Sequence, residues 1–288
     1  MQSRQNHLLA ILPCGIGKTF MLLFQAKIYD YNKVTILLLP LSGLHADEQI
    51  NIPSVTPNGS QTLPLLHYDL INQKQLARVV FDEAYKVLTD VNYRDVFHHV
   101  KILLQYLPCP FTFFCGCLPP TLEAAFWEFT GLEYLDIIRM PTAHPELAYA
   151  VYLLPKDQVF SELIRYVEER TTSYHIDDRA MVFCHSKANT QKVASALGVL
   201  AFFAESEKEL RDANNTVFCK WVEGSQKIMV CTSILGCGVD LPCVRDVIHF
   251  DLPYTALDKH QQENCASRDG KPANAVTFVD SSRGALPD

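Results

Sequence analysis

Two short segments carry residue types that together suit phosphate chemistry. Residues 12–19 read LPCGIGKT, and residues 81–85 read FDEAY. A lysine that follows glycines can grip phosphate oxygens, and an adjacent Asp–Glu pair can manage a magnesium ion. Each segment directly follows an apolar, strand-like run. Either segment alone would be ambiguous, but together and in this order they predict an ATP-hydrolysis site.

The glycine-rich segment lies between a strand and a helical stretch. Glycines let backbone N–H groups curl around phosphate oxygens, and the amino end of a helix adds its positive dipole. Lys18 is predicted to reach the β- and γ-phosphates of ATP, and the Thr19 hydroxyl to bind Mg²⁺. The open alternative is a glycine turn with an incidental lysine. The residues predicted to bind the nucleotide are Pro13, Cys14, Gly15, Ile16, Gly17, Lys18 and Thr19.

The carboxylates of Asp82 and Glu83 end an apolar strand. Burying two adjacent carboxylates beside hydrophobic residues is costly unless a cation or hydrogen bonds compensate. Asp82 is therefore predicted to hold Mg²⁺ through water, and Glu83 to orient or deprotonate the attacking water. The alternative is an acidic strand-to-helix turn in which Glu83 supplies only a first-turn helix charge.

The remaining pattern predicts the elements that must position these groups. Short runs that are apolar on both faces are typical of parallel strands covered by helices. Helical patterns such as residues 161–169 and 187–197 lie between these runs, and the alternation predicts doubly wound α/β domains. The predicted strands are residues 7–12, 34–40, 78–83, 111–116, 148–154, 180–186, 227–233, 247–253 and 275–280.

A proline-bracketed stretch at residues 140–145 separates two sets of strands. We therefore expect two domains, residues 1–143 and 144–288. Polar residues follow most of the predicted strands at their carboxyl ends, which is where open α/β sheets bind ligands. A site in a cleft between the two sheets is the expected result.

Composition argues against several other classes of protein. No apolar stretch approaches the ~20 residues that cross a bilayer, and residues 1–15 lack the apolar core of a signal peptide. We expect an intracellular, soluble protein without membrane contact. The ten cysteines include no C-x-x-C pair, which favours buried reduced thiols over a zinc site. The net charge of −7 argues against a broad basic clamp on nucleic acid, but allows binding through backbone amides and a few cations.

In chain order the motifs resemble those of the RecQ-like helicases of superfamily 2, and within them the telomere-linked RecQ-type helicases of fungi. LPCGIGKT resembles motif I, residues 37–48 motif Ia, and FDEAY motif II. CGCLPP at residues 115–120 resembles motif III, and residues 181–197 resemble motif IV. The most specific likeness is residues 231–276, which resemble motifs V and VI nearly residue for residue.

The resemblance implies two tandem RecA-like domains of the P-loop NTPase type. It implies an ATP-dependent 3′–5′ DNA helicase that uses ATP and Mg²⁺ and acts on a single strand or a 3′-tailed duplex. A monomeric nuclear protein of DNA recombination and repair is the corresponding expectation. The residues that it adds to the site are Arg268 for catalysis, Gly236, Gly238 and Asp240 for nucleotide, and Ser186, Lys187, Thr232 and Ser233 for nucleic acid.

Several motif positions depart from the family pattern. Cys265 stands where motif VI has its first arginine, and Cys115 and Cys117 replace the motif III threonines. An arginine of that kind contributes ~10³–10⁵ in rate, and a cysteine cannot supply it. Arg268 remains at the second arginine position, and Arg245 is a remote candidate for compensation.

The losses together favour a second interpretation of the chain. Tyr85 replaces the motif II histidine, and we expect the adenine-reading segment and the zinc-binding region of the family to be missing. The second interpretation is a truncated or degenerate copy that binds nucleotide and nucleic acid without turnover. A third alternative is a small-molecule kinase or transport-type NTPase that shares only the phosphate loop.

Overall fold

The chain forms two compact units, Met1–Ala143 and His144–Asp288. The computed structural model describes residues 6–13, 15–18, 20–21, 24, 33–38, 54–55, 75–89, 100–101, 104–105, 107–203, 208–233 and 241–283. Within these ranges no helix is long and apolar enough to cross a membrane. Each unit contains one six-stranded sheet, so the predicted α/β class is confirmed.

The sheet of the first unit has the order β3-β2-β4-β5-β1-β6, and all neighbouring strands are parallel. Because β5 lies between β1 and β4, the segments that follow these three strands meet at one carboxyl edge. The described part of this unit includes the helices α1 (Lys86–Thr89) and α2 (Glu123–Thr130). The strands are β1 (Leu8–Ile11), β2 (Val34–Leu38), β3 (Ser54–Val55), β4 (Leu76–Phe81), β5 (Phe111–Cys115) and β6 (Asp136–Arg139).

An aromatic cluster fixes β4 and β5 in the core of the first unit. The rings of Phe81 and Phe113 stack with centroids 5.0 Å apart. Phe126 of α2 meets Phe113 edge-on at 5.3 Å. All three side chains are buried, and full burial of a phenylalanine contributes about 1.5–3 kcal/mol. This packing therefore holds β4 and β5 rigidly and fixes the position of the loops at their carboxyl ends.

The second sheet has the order β7-β12-β11-β8-β10-β9, again with parallel neighbours. Its helices are α3 (Lys156–Thr172), α4 (Lys187–Ala196), α5 (Lys208–Glu223) and α6 (Ala256–Glu263). Its strands are β7 (Leu147–Leu154), β8 (Arg179–Cys184), β9 (Ala201–Phe202), β10 (Ile228–Cys231), β11 (Val244–Phe250) and β12 (Ala273–Asp280).

All nine strands predicted from apolar runs occur, with their ends shifted by a few residues. Three further strands were not predicted. β3 and β9 are two residues long, too short to give a pattern, and all four residues of β6 are exposed, so β6 lacks the buried apolar run. Eight cysteines in the described part of the chain are free thiols, and six of them are buried, as predicted.

A fully buried carboxylate ties α3 to the second sheet. Asp246 of β11 accepts hydrogen bonds from Tyr166 Oη (3.1 Å), Arg170 Nε (3.0 Å) and Tyr174 Oη (2.5 Å). Asn274 Nδ2 of β12 donates a further one at 3.0 Å. Burial, followed by the charge of Asp246, raises the pKa of Tyr174, which keeps the phenol a neutral donor. One side chain therefore joins three elements.

Replacement of this carboxylate tests its structural role. Asp246→Ala should lower the free energy of unfolding of the second unit by about 3 kcal/mol, because buried donors lose their acceptor. Hydrogen exchange of β11 and β12 reports this unit selectively. The exposed Asp157 of α3 supplies the control, and Asp157→Asn should change stability by less than about 0.5 kcal/mol. Equal effects of the two substitutions would contradict the anchor role.

Candidate nucleotide and nucleic-acid sites

The glycine-rich segment leaves β1 at the carboxyl edge of the first sheet. Gly15 and Gly17 have φ angles of 78° and 86°, a left-handed conformation that glycine adopts without strain. Lys18 is helical, and Met21 N donates to Gly17 O at 3.1 Å, so a helical turn begins directly after the glycines. This strand–glycine turn–helix order is the local structure that a phosphate-binding loop requires.

The other predicted residues of this segment are only partly accounted for. Pro13 and Ile16 are half-buried beside the loop. Cys14 and Thr19 lie outside the described residues, so magnesium binding by the Thr19 hydroxyl stays a prediction.

The acidic pair forms a tight turn directly after β4. Asp82 N donates to Leu38 O at 3.0 Å, and Ala84 N donates to Phe114 O at 2.8 Å, so β2 and β5 both hold the turn. Glu83 has a φ of 46°, an uncommon left-handed conformation for a residue with a side chain. Such backbone strain is of the order of 1–3 kcal/mol and persists only where the surroundings enforce it. Glu83 is also buried.

Lys18, Asp82 and Glu83 lie close enough to influence one another electrostatically. Burial raises the pKa of Asp82, while the positive charge of Lys18 and a hydrogen bond from Glu83 N lower it. Burial also raises the pKa of Cys115, with a further contribution from the charge of Glu83. Because β5 separates β1 from β4, Cys115 lies between the lysine and the two carboxylates. The structure therefore brings three of the predicted catalytic residues together.

A divalent cation fits this arrangement chemically. Asp82 is a buried carboxylate whose charged form is disfavoured by burial, and a nearby cation would offset that cost. In the described ranges no group of three or more His, Cys, Asp and Glu side chains could hold a metal ion by itself. Magnesium sites at nucleotides use one or two carboxylates and complete the coordination with phosphate and water, so Asp82 suffices as the acidic ligand.

The raised pKa of Asp82 gives a pH-dependent prediction. A carboxyl group whose pKa is higher in the folded state costs stability once pH rises above its unfolded value. Without metal or nucleotide, Asp82→Asn should therefore stabilise the first unit at about pH 7, and the gain should vanish below about pH 4. Hydrogen exchange of β4 and β5 measures it, with exposed Asp136→Asn as control. A gain that persists in acid would contradict the assignment.

The departures from the motif III and motif II patterns are buried side chains. Cys115, Cys117 and Tyr85 are almost completely inaccessible, and Lys86 Nζ lies 5.1 Å from the centroid of the Tyr85 ring. Burial favours the neutral thiol, so these cysteines pack as small apolar groups. The two threonine hydroxyls of the family pattern are replaced here by packing contacts.

The predicted nucleic-acid residues of the second unit gather at adjacent strand ends. Ser186 follows β8 and caps α4, where its side chain accepts a hydrogen bond from Asn189 N at 3.1 Å. Lys187 is exposed at the first turn of this helix. Thr232 and exposed Ser233 follow β10, the neighbour of β8. The remaining predicted residues of motif V, Gly236, Gly238 and Asp240, lie outside the described residues.

Arg268 departs from the expectation that site residues collect at carboxyl edges. It follows α6 and precedes β12, and Ser267 N donates to Val244 O at the start of β11. Arg268 therefore lies at the amino edge of the second sheet, because α6 returns the chain to that edge. Its Nε donates to Asn264 O at 3.2 Å, and its Nη2 lies 4.0 Å from the Sγ of buried Cys265.

Arg245 does not support the suggested compensation for the missing arginine. Its Nε donates to Asp178 Oδ1 at 3.0 Å, and its Nη1 donates to Asp269 Oδ1 at 2.9 Å. Hydrogen bonding to Asp269 is the main cause that raises the pKa of Arg245. The arginine therefore anchors the loop that carries Arg268, and its guanidinium N–H groups already donate to two carboxylates.

Sequence reasoning missed a small pocket at the carboxyl edge of the second sheet. The residues that line it come from β8, β10, β11 and α6, and include His185, Ser233, His249, Asp251, Tyr254 and Gln262. The run Asp-Leu-Pro-Tyr directly after a strand was a usable signal, because it places an aromatic ring where ligands bind.

The sequence and structure comparisons agree with this geometry. Residues 157–270 match the family model for the helicase conserved C-terminal domain. The ATP-dependent DNA helicase hus2/rqh1 of Schizosaccharomyces pombe is 28% identical over 89% of this chain and 20% of its own length. The RecQ-like DNA helicase BLM of Xenopus laevis is 25% identical over 93% of this chain and 22% of its own length. This chain thus spans about a fifth of these relatives.

Solved structures share the fold at low sequence identity. Dbp5 of S. cerevisiae, bound to RNA and ADP BeF3, aligns with a TM-score of 0.71 and 16% identity, covering 96% of this chain and 79% of that one. MrfA helicase bound to DNA aligns with a TM-score of 0.69 and 15% identity over 96% and 44%. These matches show that the chain shares the RecA-like fold of these proteins. The resemblance to RecQ-like helicases that its motifs predict is confirmed by the sequence relatives.

Proposed function

We propose that this chain is the ATP-driven core of a RecQ-like DNA helicase, which hydrolyses ATP with residues of both units and moves 3′–5′ along a DNA strand. The observation that carries this proposal is that the glycine turn after β1 and the acidic turn after β4 lie at one carboxyl edge of the first sheet, where the charge of Lys18 lowers the pKa of Asp82. The names of the sequence relatives support the choice of DNA as the substrate.

Each predicted site residue has a role in the proposed reaction. Lys18 binds the β- and γ-phosphates, and the backbone N–H groups of the loop that follows Pro13, up to Gly17, surround them. Asp82, with Thr19, holds Mg²⁺, which when bound neutralises charge on the phosphates. Glu83 orients the attacking water and accepts its proton. Arg268 stabilises negative charge on the transferring phosphoryl group, and Gly236, Gly238 and Asp240 contact the nucleotide.

The second unit binds the DNA strand through the phosphate backbone of the DNA. The amino end of α4 offers N–H groups beside Ser186 and Lys187, and Thr232 and Ser233 add hydroxyls from the next strand. Such contacts fix a phosphate backbone without reading its sequence. With a net charge of −7, we expect modest affinity that falls with salt. The resemblance also supports a nuclear monomer that acts in recombination and repair.

A second candidate function rests on a specific observation in the motif VI loop. Cys265 occupies the position of the family arginine and is 1% exposed. Arg268 bonds back to Asn264 O within the same loop. This arrangement favours a protein that binds nucleotide and nucleic acid but hydrolyses ATP slowly or not at all.

An ATPase assay tests the first function. DNA should stimulate phosphate release by the wild-type chain, and Lys18→Ala should abolish it, because the phosphates lose their cation. Lys33→Ala, at an exposed lysine before β2, removes the same charge elsewhere in the first unit and should leave the rate within about twofold. Equal rates for wild type and Lys18→Ala would exclude hydrolysis at this site.

Restoration of the missing arginine separates the two functions. Cys265→Arg should raise phosphate release at least ~10-fold if the lost arginine limits turnover, since such residues contribute ~10³–10⁵. Exposed Cys219→Arg, in α5, is the matched control. A chain that binds nucleotide in a Lys18-dependent manner but releases no phosphate, before or after the substitution, supports the second function. Because position 265 is buried, thermal unfolding of each variant accompanies the assay.

A further inference from the structure

The ring of Tyr254 stands exposed at the mouth of the pocket in the second unit. Its exposed fraction is 73%, and it packs against His185 with ring centroids 4.5 Å apart. The loop that carries it is held at both ends. Asp251 N donates to Phe278 O at 2.9 Å, and Thr255 caps α6 through a hydrogen bond from Asp258 N at 3.0 Å. A tyrosine presented so rigidly offers a large contact area at low entropic cost.

Two histidine nitrogens in the pocket lack a hydrogen-bond partner among the described residues. They are His185 Nε2 and His249 Nδ1, and both atoms are buried. The other ring nitrogen of His249 lies 3.0 Å from Gln262 Oε1. Burial lowers the pKa of His249 to about 3, so this ring is neutral. When its Nε2–H donates to Gln262, Nδ1 is an acceptor without a donor, which is costly in a buried position.

The charge of the pocket disfavours phosphate as its occupant. Asp251 and Asp258 line it, and the described residues that line it include no lysine or arginine. Asp251 also has a φ of 84°, and strained backbone of this kind concentrates at ligand sites. The two carboxylates and the acceptor nitrogen together favour a group that carries hydrogen-bond donors and no negative charge.

The pocket adjoins the proposed phosphate contacts. His185 directly precedes Ser186, and Ser233 belongs both to the pocket lining and to the proposed backbone contacts. A strand whose phosphates lie at Ser186 and Ser233 would carry its bases past the pocket mouth. The part of the strand that reaches the pocket would thus be a base or a sugar.

We propose that this pocket receives the exocyclic amino group of one nucleobase of a bound single strand, while the ring of that base stacks on the exposed Tyr254. The inference rests on the proposed nucleic-acid binding and adds a base-specific subsite to it. Cytosine and adenine carry an exocyclic amino group, whereas thymine and uracil present a carbonyl oxygen in that place. The subsite therefore prefers cytosine or adenine over thymine or uracil.

Fluorescence anisotropy of the full chain with labelled homo-oligonucleotides of about 12 nucleotides tests the subsite. Oligo-dC should bind at least about 5-fold tighter than oligo-dT. Tyr254→Ala should weaken oligo-dC binding about 5- to 150-fold, the range measured when base–aromatic stacking is removed. Tyr254→Phe should stay within about twofold of wild type, because the phenyl ring stacks equally well. Tyr149→Ala removes another exposed tyrosine of the same unit, on β7, and should have no effect.

The salt dependence and the sugar provide separate checks. Tyr254→Ala should leave the slope of log affinity against log salt unchanged, whereas Lys187→Ala should reduce it by about one phosphate contact. Oligo-rC and oligo-rU should repeat the ratio of dC to dT. A preference for RNA that ignores the base would assign the pocket to the 2′-hydroxyl and overturn the nucleobase proposal.

The remaining outcomes are distinct. Wild-type binding that Tyr254→Ala does not weaken would overturn the subsite and leave the proposed helicase function standing. Equal affinity for dC and dT would overturn the donor–acceptor part of the inference. Absence of any nucleic-acid binding by the wild-type chain would overturn the inference together with the nucleic-acid part of the proposed function.

Discussion

The positive charge of Lys18 beside the buried carboxylate of Asp82 is the interaction on which the proposed nucleotide site depends. Neither group belongs in that position for packing, because each loses hydration there. The strand order β4-β5-β1 places the loops that carry both residues at one sheet edge, since they follow strands that flank β5. The left-handed turn at Glu83 adds a second local cost. Binding of a metal-bound triphosphate would offset both the lost hydration and the backbone strain at this edge of the first sheet.

Hydrogen bonds in the second unit anchor the loop that carries Arg268. Arg245 and Asp269 hold the motif VI loop against β11, and Asp246 secures the same strand to α3. These interactions position Arg268 although Cys265 has replaced its partner arginine. The loop is therefore firmly held, although it carries one arginine where the family pattern has two. That combination is compatible with both of the proposed functions.

Much of the fold was predictable because buried parallel strands are apolar on both faces, as in β5 and β8. β6 escaped prediction since its residues are exposed, and strand order leaves no trace in local sequence. Motif spacing predicted Lys18, Asp82 and Glu83, and their proximity followed from topology. Prediction failed at the pocket, because His185 and Tyr254 are distant in sequence and meet only through the pairing of β8 with β11.

Titration calorimetry with a non-hydrolysable ATP analogue tests the central claim most directly. If Lys18 and Asp82 form one triphosphate–metal site, Mg²⁺ should tighten binding at least about tenfold, equivalent to about 1.4 kcal/mol. The same titration of Asp82→Asn should lose that dependence on Mg²⁺ while retaining weak binding through Lys18. Equal affinity with and without Mg²⁺ in the wild-type chain would contradict the account.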